Sequence, residues 1–267
     1  MSATDEDAAS FIAASSAATY ADGWPSVQRL SPSFFAASRH LFSVPKTKKH
    51  LTPKFQALVL LCVDCAATHM YHPGTRIHMQ NALDAGASVA EVMEVIELTS
   101  TLGIHACNIG VPILVEVMKE EGLYEKHPIA QLEKKLDPER EKLKAEFTQK
   151  RGYWHQFWDE FLALDKEFFA AYLEMSTVPW TKKVKGVEPW EGGLGALSPK
   201  EKELIYCAFD TAATHLYKPG LKLHIRNVFA YGGTPEEVME VMELATLLSL
   251  HAANTAAPVL EELAAKR

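Results

Sequence analysis

The 267-residue sequence is short of several things, and each shortage excludes something. It has four cysteines, Cys62, Cys65, Cys107 and Cys207. That is too few for a disulfide scaffold of this size, so a reducing, cytoplasmic setting is expected. It has no long apolar run. The longest, Ala57 to Ala67, is broken by Asp64 and is too short to cross a bilayer, so no membrane partner is expected. Its first nine residues are acidic and small, without the cationic segment and apolar run of a secretory signal. It has no basic stripe. The 27 basic and 34 acidic residues give a net charge of −7, and no nucleic-acid partner is expected. The local runs Lys46-Thr47-Lys48-Lys49 and Lys182-Lys183 read as solvated linker charge. It has no segment of sustained strand alternation, so the expected fold is all-α. Hydrophobic residues, at 48%, are enough to fill a core.

What is there is one stretch written twice. Leu51 to Glu116 superimposes on Leu197 to Glu262 at a constant offset of 146, without a gap. Asp64 falls on Asp210, His69 on His215, His78 on His224, Asn81 on Asn227, Glu94 on Glu240, Glu97 on Glu243, His105 on His251 and Asn108 on Asn254. About two-fifths of the paired positions are identical, which points to two copies of one supersecondary unit. Phe34-Phe35-Ala36-Ala37 is echoed by Phe168-Phe169-Ala170-Ala171, so each repeat includes a preceding helix.

Each repeat reads as three helices. In repeat one, Thr52 caps the first, Pro53 takes its first position, and the helix is expected to end at His72-Pro73-Gly74. A second runs from about Thr75 to Ala85 and stops at Gly86. Ser88 with Glu91 forms a capping box for a third, which continues through Glu94, Glu97 and His105 toward Lys119. Repeat two has the same signals at Ser198-Pro199, Leu221 to Tyr231 and Thr234-Pro235. Residues 1 to about 25 are Ala/Ser-rich and expected to fray. Residues 120–150 read as an exposed connecting helix, Trp154 to Tyr172 as an amphipathic helix, and Gly186 to Leu197 as a loop. The expected domains are 1–119, 120–150 and 151–267.

The chemistry-bearing residues cluster in two places. At about 100° per residue, Glu94, Glu97, Thr101, His105 and Asn108 share one arc of the third helix, a polar stripe without Lys or Arg. It reads either as a pocket wall or as a polar seam between the repeats. Repeat two carries Glu240, Glu243, His251 and Asn254 in the same places. At the junction of the first two helices stand His69, Tyr71 and His78, and in repeat two His215, Tyr217 and His224. Imidazoles titrate near neutral pH, so two at one junction can serve as general base and acid. The free N–H groups at the start of the second helix suit a carboxylate, with Arg76 or Lys222 adding charge. Glu97 and Glu243 are the expected partners that orient a histidine. Cys62 and Cys65, followed by His69, also read as Cys-x-x-Cys-x-x-x-His, a dithiol pattern. Repeat two has Ala208 and Thr211 there, so only one copy could use it.

The run His78-x-x-x-Ala82-Leu83-x-x-Gly86-Ala87-Ser88, with Glu91-Val92-Met93-Glu94-Val95, resembles the carboxymuconolactone decarboxylase family of the alkylhydroperoxidase D-like superfamily. Repeat two resembles it more closely, through Leu223-His224-Ile225-Arg226-Asn227 and Gly232-Gly233-Thr234-Pro235-Glu236-Glu237-Val238. The resemblance implies two pseudo-twofold-related helical repeats that assemble around a threefold axis, here as a homotrimer of tandem chains. It places His78 and His224 at the family's functional histidine. In redox members a Cys-x-x-Cys precedes that histidine directly; here the places hold Tyr71 and Gly74, and Tyr217 and Gly220. That departure favours cysteine-free chemistry.

The expected function is therefore a cofactor-free lyase or isomerase acting on a small organic acid or lactone. The expected catalytic residues are His69, His78, Glu97, His105, His215, His224, Glu243 and His251. The expected substrate-binding residues are Tyr71, Arg76, Asn81, Tyr217, Lys222 and Asn227. Three alternatives stand beside it: a thiol-dependent hydroperoxide reductase using Cys62 and Cys65, a His/Glu metal enzyme, and a non-catalytic scaffold subunit.

Overall fold

A computed structural model describes residues 23–185 and 194–267. Most of the segment expected to fray, and residues 186–193 of the expected loop, lie outside the described residues. Every regular element among the described residues is helical. In chain order they are α1 (Gly23–Leu30), α2 (Pro32–Lys48), α3 (Pro53–Cys65), α4 (His72–Asp84), α5 (Val89–Ser100), α6 (His105–Glu120), α7 (Ile129–Leu132), α8 (Pro138–Arg151), α9 (Phe157–Leu164), α10 (Lys166–Thr181), α11 (Pro199–Thr211), α12 (Lys218–Ala230), α13 (Pro235–Thr246) and α14 (His251–Ala264). Short 3₁₀ turns stand at Thr101–Ile104, Tyr124–Lys126 and Leu247–Leu250.

The repeat survives folding. Adding 146 to the bounds of α3, α4 and α5 gives those of α11, α12 and α13, and Thr101–Ile104 maps in the same way onto Leu247–Leu250. The helices ahead of each repeat obey a second offset: adding 134 carries Gly23–Leu30 onto Phe157–Leu164 and Pro32 onto Lys166.

The chain packs as two compact units that cut across the repeats and across the sequential domains expected from the sequence. One holds the described residues up to Thr99 and those from Lys200 onward; the other spans Ser100–Pro199. In the first unit α4 packs on α3, α13 lies against α2 and α3, and α1 packs on α14. Repeat-one helices are thus closed by repeat-two helices. The second unit is built around Phe147, Trp158, Phe161, Phe169 and Leu173, with the Phe147 and Trp158 rings 4.2 Å apart at their centres. Here α9 packs on α6, and Trp158 Nε1 donates to Asn108 Oδ1 at 2.9 Å.

Local chemistry sets the boundaries. Thr52 caps α3 by accepting from the Phe55 N–H at 3.2 Å. Both capping boxes form, Ser88 with Glu91 and Thr234 with Glu237. The first helix of the repeat differs from expectation: it ends at Cys65, because Ala66 leaves helical space at ψ 137°. Pro73 and Gly74 are not a break but part of the first turn of α4, where a missing N–H costs nothing. The third helix is interrupted by the 3₁₀ turn at Thr101–Ile104. The amphipathic run near Trp154–Tyr172 splits because Asp165 turns out of the helix and caps α10, accepting from the Phe168 N–H at 2.9 Å. The connection at 120–150 is likewise not one exposed helix, since α8 buries Phe147 and Arg151.

The sequence expectation about membrane length also needs correction. The helical run Val89–Glu120 is long and apolar enough to cross a membrane by length and composition alone. Core helices pass the same test, and this run holds Glu94, which is fully buried against Lys202 at 3.1 Å.

Candidate functional site

The repeat-one site begins at the end of α3. Asp64, buried in the last turn, is followed by a tight reversal in which the Tyr71 N–H donates to the Asp64 carbonyl at 2.8 Å. Met70 takes φ +50° to make that reversal, a left-handed conformation uncommon for a residue with a side chain. It turns His69 and Tyr71 inward. The Asp64 carboxylate then lies over the first turn of α4. A Cβ at Gly74 would meet its Oδ2 at 1.8 Å, so only glycine fits there. The carboxylate expected at this helix start is the protein's own.

Three histidines face Asp64. His78 Nε2 approaches Oδ2 at 3.5 Å, and His69 Nε2 and His251 Nδ1 approach Oδ1 at 3.8 and 3.7 Å. His69 Nε2 and His251 Nδ1 are hydrogen-bonded at 2.8 Å, so one ring donates its N–H to the lone pair of the other. Tyr71 stacks on His251 with ring centres 3.9 Å apart, and its hydroxyl accepts from Asn254 Nδ2 at 2.9 Å. His251 and Asn254 come from repeat two, and the rest from repeat one.

Burial decides the protonation states. It raises the Asp64 carboxyl to about 8. Burial, then the nearby His251 and Lys46, lowers His78 to about 3. Burial, then His69, lowers His251 to about 3, and burial lowers His69. At neutral pH this is a carboxylic acid among neutral imidazoles, able to pass a proton in either direction. The donor atoms of Asp64, His69 and His251 also lie within 4.8 Å of one another, a set able to hold a divalent cation.

A cavity of about 290 Å³ opens beside His78. Phe42, Leu60, Leu244 and Leu247 give it apolar walls, and Gln56 and Asn81 add amides. Among the described residues of the lining Lys46 is the one charged side chain, and burial lowers its pKa. His78 belongs to both the cavity and the Asp64 cluster.

The repeat-two site keeps the frame and changes the filling. Leu216 takes φ +52°, and a Cβ at Gly220 would meet Asp210 Oδ2 at 2.3 Å. The Tyr217 N–H donates to the Asp210 carbonyl at 2.9 Å. His224 Nε2 faces Asp210 Oδ2 at 4.0 Å. Burial, then the charge of Glu203, raises Asp210 to about 9. Glu203 Oε2 is bonded to His224 Nδ1 at 2.6 Å, and Tyr206 stacks on the His224 ring at 4.5 Å. The counterparts of Glu203, Tyr206 and Tyr231 in repeat one are Ala57, Leu60 and Ala85, all on the cavity wall.

The model of the carboxymuconolactone decarboxylase family matches residues 185–262. A crystal structure from Burkholderia xenovorans LB400, named as a candidate gamma-carboxymuconolactone decarboxylase subunit, is 44% identical over 97% of this chain and 96% of that one, with a TM-score of 0.84. This chain belongs to the carboxymuconolactone decarboxylase family. No curated protein matches it. The family model falls on repeat two, whose histidine is held by Glu203. The cavity beside His78 lies on repeat one.

Against this family frame the expected residues divide. His69, Tyr71, His78 and His251 converge on Asp64, and Asn81 lines the cavity. His224 faces Asp210, and the buried Tyr217 and half-buried His215 follow it in the turn. Arg76 and Lys222 are exposed and Asn227 is half-buried; the cation at the cavity is Lys46 instead. His105 opens α6 in the second unit, and the imidazole bonded to His69 is that of its counterpart His251. The third-helix stripe is not one pocket wall. Glu94 pairs with Lys202, Glu240 accepts from Gln56 Nε2 at 2.7 Å, and Glu243 pairs with Lys48. Glu97 is half-buried. Asp64 and Asp210 take the place at the histidines that Glu97 and Glu243 were expected to fill. The signal for them was available: one acid recurs at the same place inside two apolar helices. Glu203, Ala57 and Lys46 carried no such signal, because the repeats differ there.

Proposed function

We propose that repeat one is a histidine-centred acid–base site acting on a small organic acid, as a decarboxylase-like lyase or an isomerase. One observation carries the reading: His78 is shared between the cavity and the Asp64–His69–His251 cluster. The name of the Burkholderia relative adds decarboxylation. In that reaction the bond to CO₂ breaks, its electron pair stays on the substrate, and a proton must reach the carbon left behind. His78 delivers this proton from the nitrogen on the cavity side. Asp64, held as a carboxylic acid, restores it at Nε2, and the hydrogen-bonded His69 and His251 lie next along the route. Asp64 Oδ2 lies 3.5 Å from His78 Nε2, a separation that has to tighten for direct proton transfer.

Thiol chemistry has less support. Burial raises the Cys65 thiol to about 11 and Cys62 well above its ordinary value, which suppresses the reactive thiolate.

The test is CO₂ release from gamma-carboxymuconolactone by the wild type, His78→Ala and His224→Ala. His78→Ala is expected to lose more than about 10²-fold in rate, and His224→Ala less than about tenfold. Equal losses would refute the assignment to repeat one. Loss on chelation, restored by Zn²⁺ and abolished in His251→Ala, would transfer the reading to a metal held by Asp64, His69 and His251.

A further inference from the structure

We infer that Asp64, His69 and His251 form a binding site for one divalent transition-metal ion of the zinc class. The inference concerns ion binding and goes beyond the acid–base reading above, on which it rests in one respect only: by that reading, a bound ion inhibits.

Geometry is the first argument. His69 Nε2 and His251 Nδ1 are 2.8 Å apart, and Asp64 Oδ1 lies 3.8 and 3.7 Å from them. Three atoms at these separations lie on a circle of radius about 2.0 Å, the length of a bond from zinc to nitrogen or oxygen. One point therefore reaches all three donors at bonding distance. The three separations average about 3.4 Å, as the edges of a tetrahedron around zinc require, whereas a face of the magnesium octahedron needs about 2.9 Å. The shortest edge is the hydrogen bond between the imidazoles. It opens by about half an ångström when an ion replaces the shared proton.

The donor set agrees. Two imidazoles with one carboxylate suit zinc or cobalt better than magnesium or calcium. Each neutral imidazole gives its lone pair to an ion while keeping its N–H on the other nitrogen. Asp64 is buried, and among the described residues its Oδ2 has no hydrogen-bond partner. A cation on Oδ1 compensates a carboxylate that is otherwise taken out of water with few donors.

The surroundings hold the donors in place. Tyr71 stacks on His251 with the rings 13° from parallel, and its hydroxyl accepts from Asn254. The left-handed Met70 sets His69, and Gly74 lets α4 pack under the Asp64 carboxylate. Ligands fixed by their neighbours need little reordering on binding. Asp64 and His251 are buried, while His69 is half-buried between the exposed Thr68 and Met70, so an ion enters past His69. Once there, it competes with the proton for the same nitrogen and oxygen atoms, which is why it inhibits the acid–base cluster.

The test titrates Co²⁺ and Zn²⁺ into the full chain after chelator treatment and dialysis, with visible absorption for Co²⁺ and calorimetry for both. Co²⁺ is expected to show the intense absorption of a tetrahedral centre, Zn²⁺ to displace it, and Mg²⁺ not to compete. His251→Ala and His69→Gln are each expected to remove one equivalent of bound ion relative to the wild type, and Asp64→Asn to weaken that equivalent by about a hundredfold. His69 stands at the half-buried edge of the site, so His69→Gln keeps the inference testable if His251→Ala does not fold. His78→Ala removes no ligand and is expected to keep the full count. An unchanged count in folded His69→Gln, or competition from Mg²⁺ equal to that from Zn²⁺, overturns the inference. Turnover separates it from the reading above. Binding as stated with turnover raised by Zn²⁺ leaves the ion site standing and overturns the acid–base reading. Turnover that requires His78 in a chain that binds no Co²⁺ does the reverse.

Discussion

The two sites of this chain share a backbone and differ in what fills it. Both have a buried aspartate at the end of an apolar helix, a left-handed residue in the following reversal, and a glycine under the carboxylate. Repeat two then completes its histidine internally, with Glu203 on Nδ1 and Tyr206 on the ring face. Repeat one has Ala57 and Leu60 at those positions and a cavity instead. A duplicated scaffold can hold its histidine with an internal carboxylate in one copy and carry small residues at the same places in the other. Such exchanges normally destabilise, because the surroundings collapse only in part. The small residues beside His78 therefore carry a cost in stability of this kind.

The same asymmetry recurs at the preceding residue, Gln56 before Ala57 and Lys202 before Glu203, and breaking it should give the largest effect. Lys202 Nζ and Glu94 form an ion pair at 3.1 Å with both side chains fully buried. The corresponding pair in the other half is Gln56 and Glu240, where Glu240 also accepts from the His50 N–H at 2.9 Å. Lys202→Met leaves a buried carboxylate without its charge partner and should cost about 3–5 kcal/mol. Gln56→Met removes a neutral donor from Glu240 and should cost about 1–3 kcal/mol. Chemical denaturation of both variants tests this; equal losses would mean that the two halves are balanced alike despite the exchange of charge for amide.

The aspartates allow a finer comparison. Asp64 is raised to about 8 and Asp210 to about 9, the second with help from the charge of Glu203. A carboxyl raised on folding contributes stability that is fully present below its unfolded value near 4 and is lost as pH climbs through the folded value. The depressed histidines run the other way. His78 and His251, both near 3, contribute stability above about 6.5 that is lost as pH falls toward 3. Asp64→Asn removes the alkaline loss alone. Its melting temperature relative to wild type should rise from about pH 4 to about pH 8 and then level. Asp210→Asn should keep rising to about pH 9. A melting-temperature difference that stays flat between pH 4 and 8 in both variants would show that neither carboxyl is raised on folding.

Much of this frame was legible in the sequence because repetition exposes it. The constant offset of 146 gave three helices per repeat whose bounds agree residue by residue, and caps such as Thr52 and Ser88 marked their starts. His69, His78 and Tyr71 stood out through recurrence and do converge. Two kinds of feature stayed hidden. One is pairing between repeats: the sequence cannot say that the partner of His69 is His251, since periodicity reports a helix face and not its neighbour. The other is difference. Ala57 and Lys46 look ordinary by type, and only the void beside them in space gives them meaning. The polar stripe misled for a related reason. Glu94 and Glu240 are on one face as expected, but the low dielectric around them selects fixed partners in place of a substrate.

The smallest effect should come where the two sites do not differ. Met70 and Leu216 occupy left-handed space at φ +50° and +52°, and both side chains are largely exposed. That conformation costs a residue with a Cβ about 1–2 kcal/mol. Glycine removes this strain but loses about 0.5–1 kcal/mol through the greater freedom of its unfolded chain. Met70→Gly and Leu216→Gly should therefore each leave stability unchanged or raise it by up to about 1 kcal/mol, and by similar amounts, measured as the shift in denaturation midpoint at constant slope. Similar gains would mean that the reversal is a feature of the shared scaffold, indifferent to what fills the site above it. A loss confined to Met70→Gly would mean instead that the opened repeat depends on that strain to hold His69 and Tyr71 against His251, and the two frames would then not be equivalent.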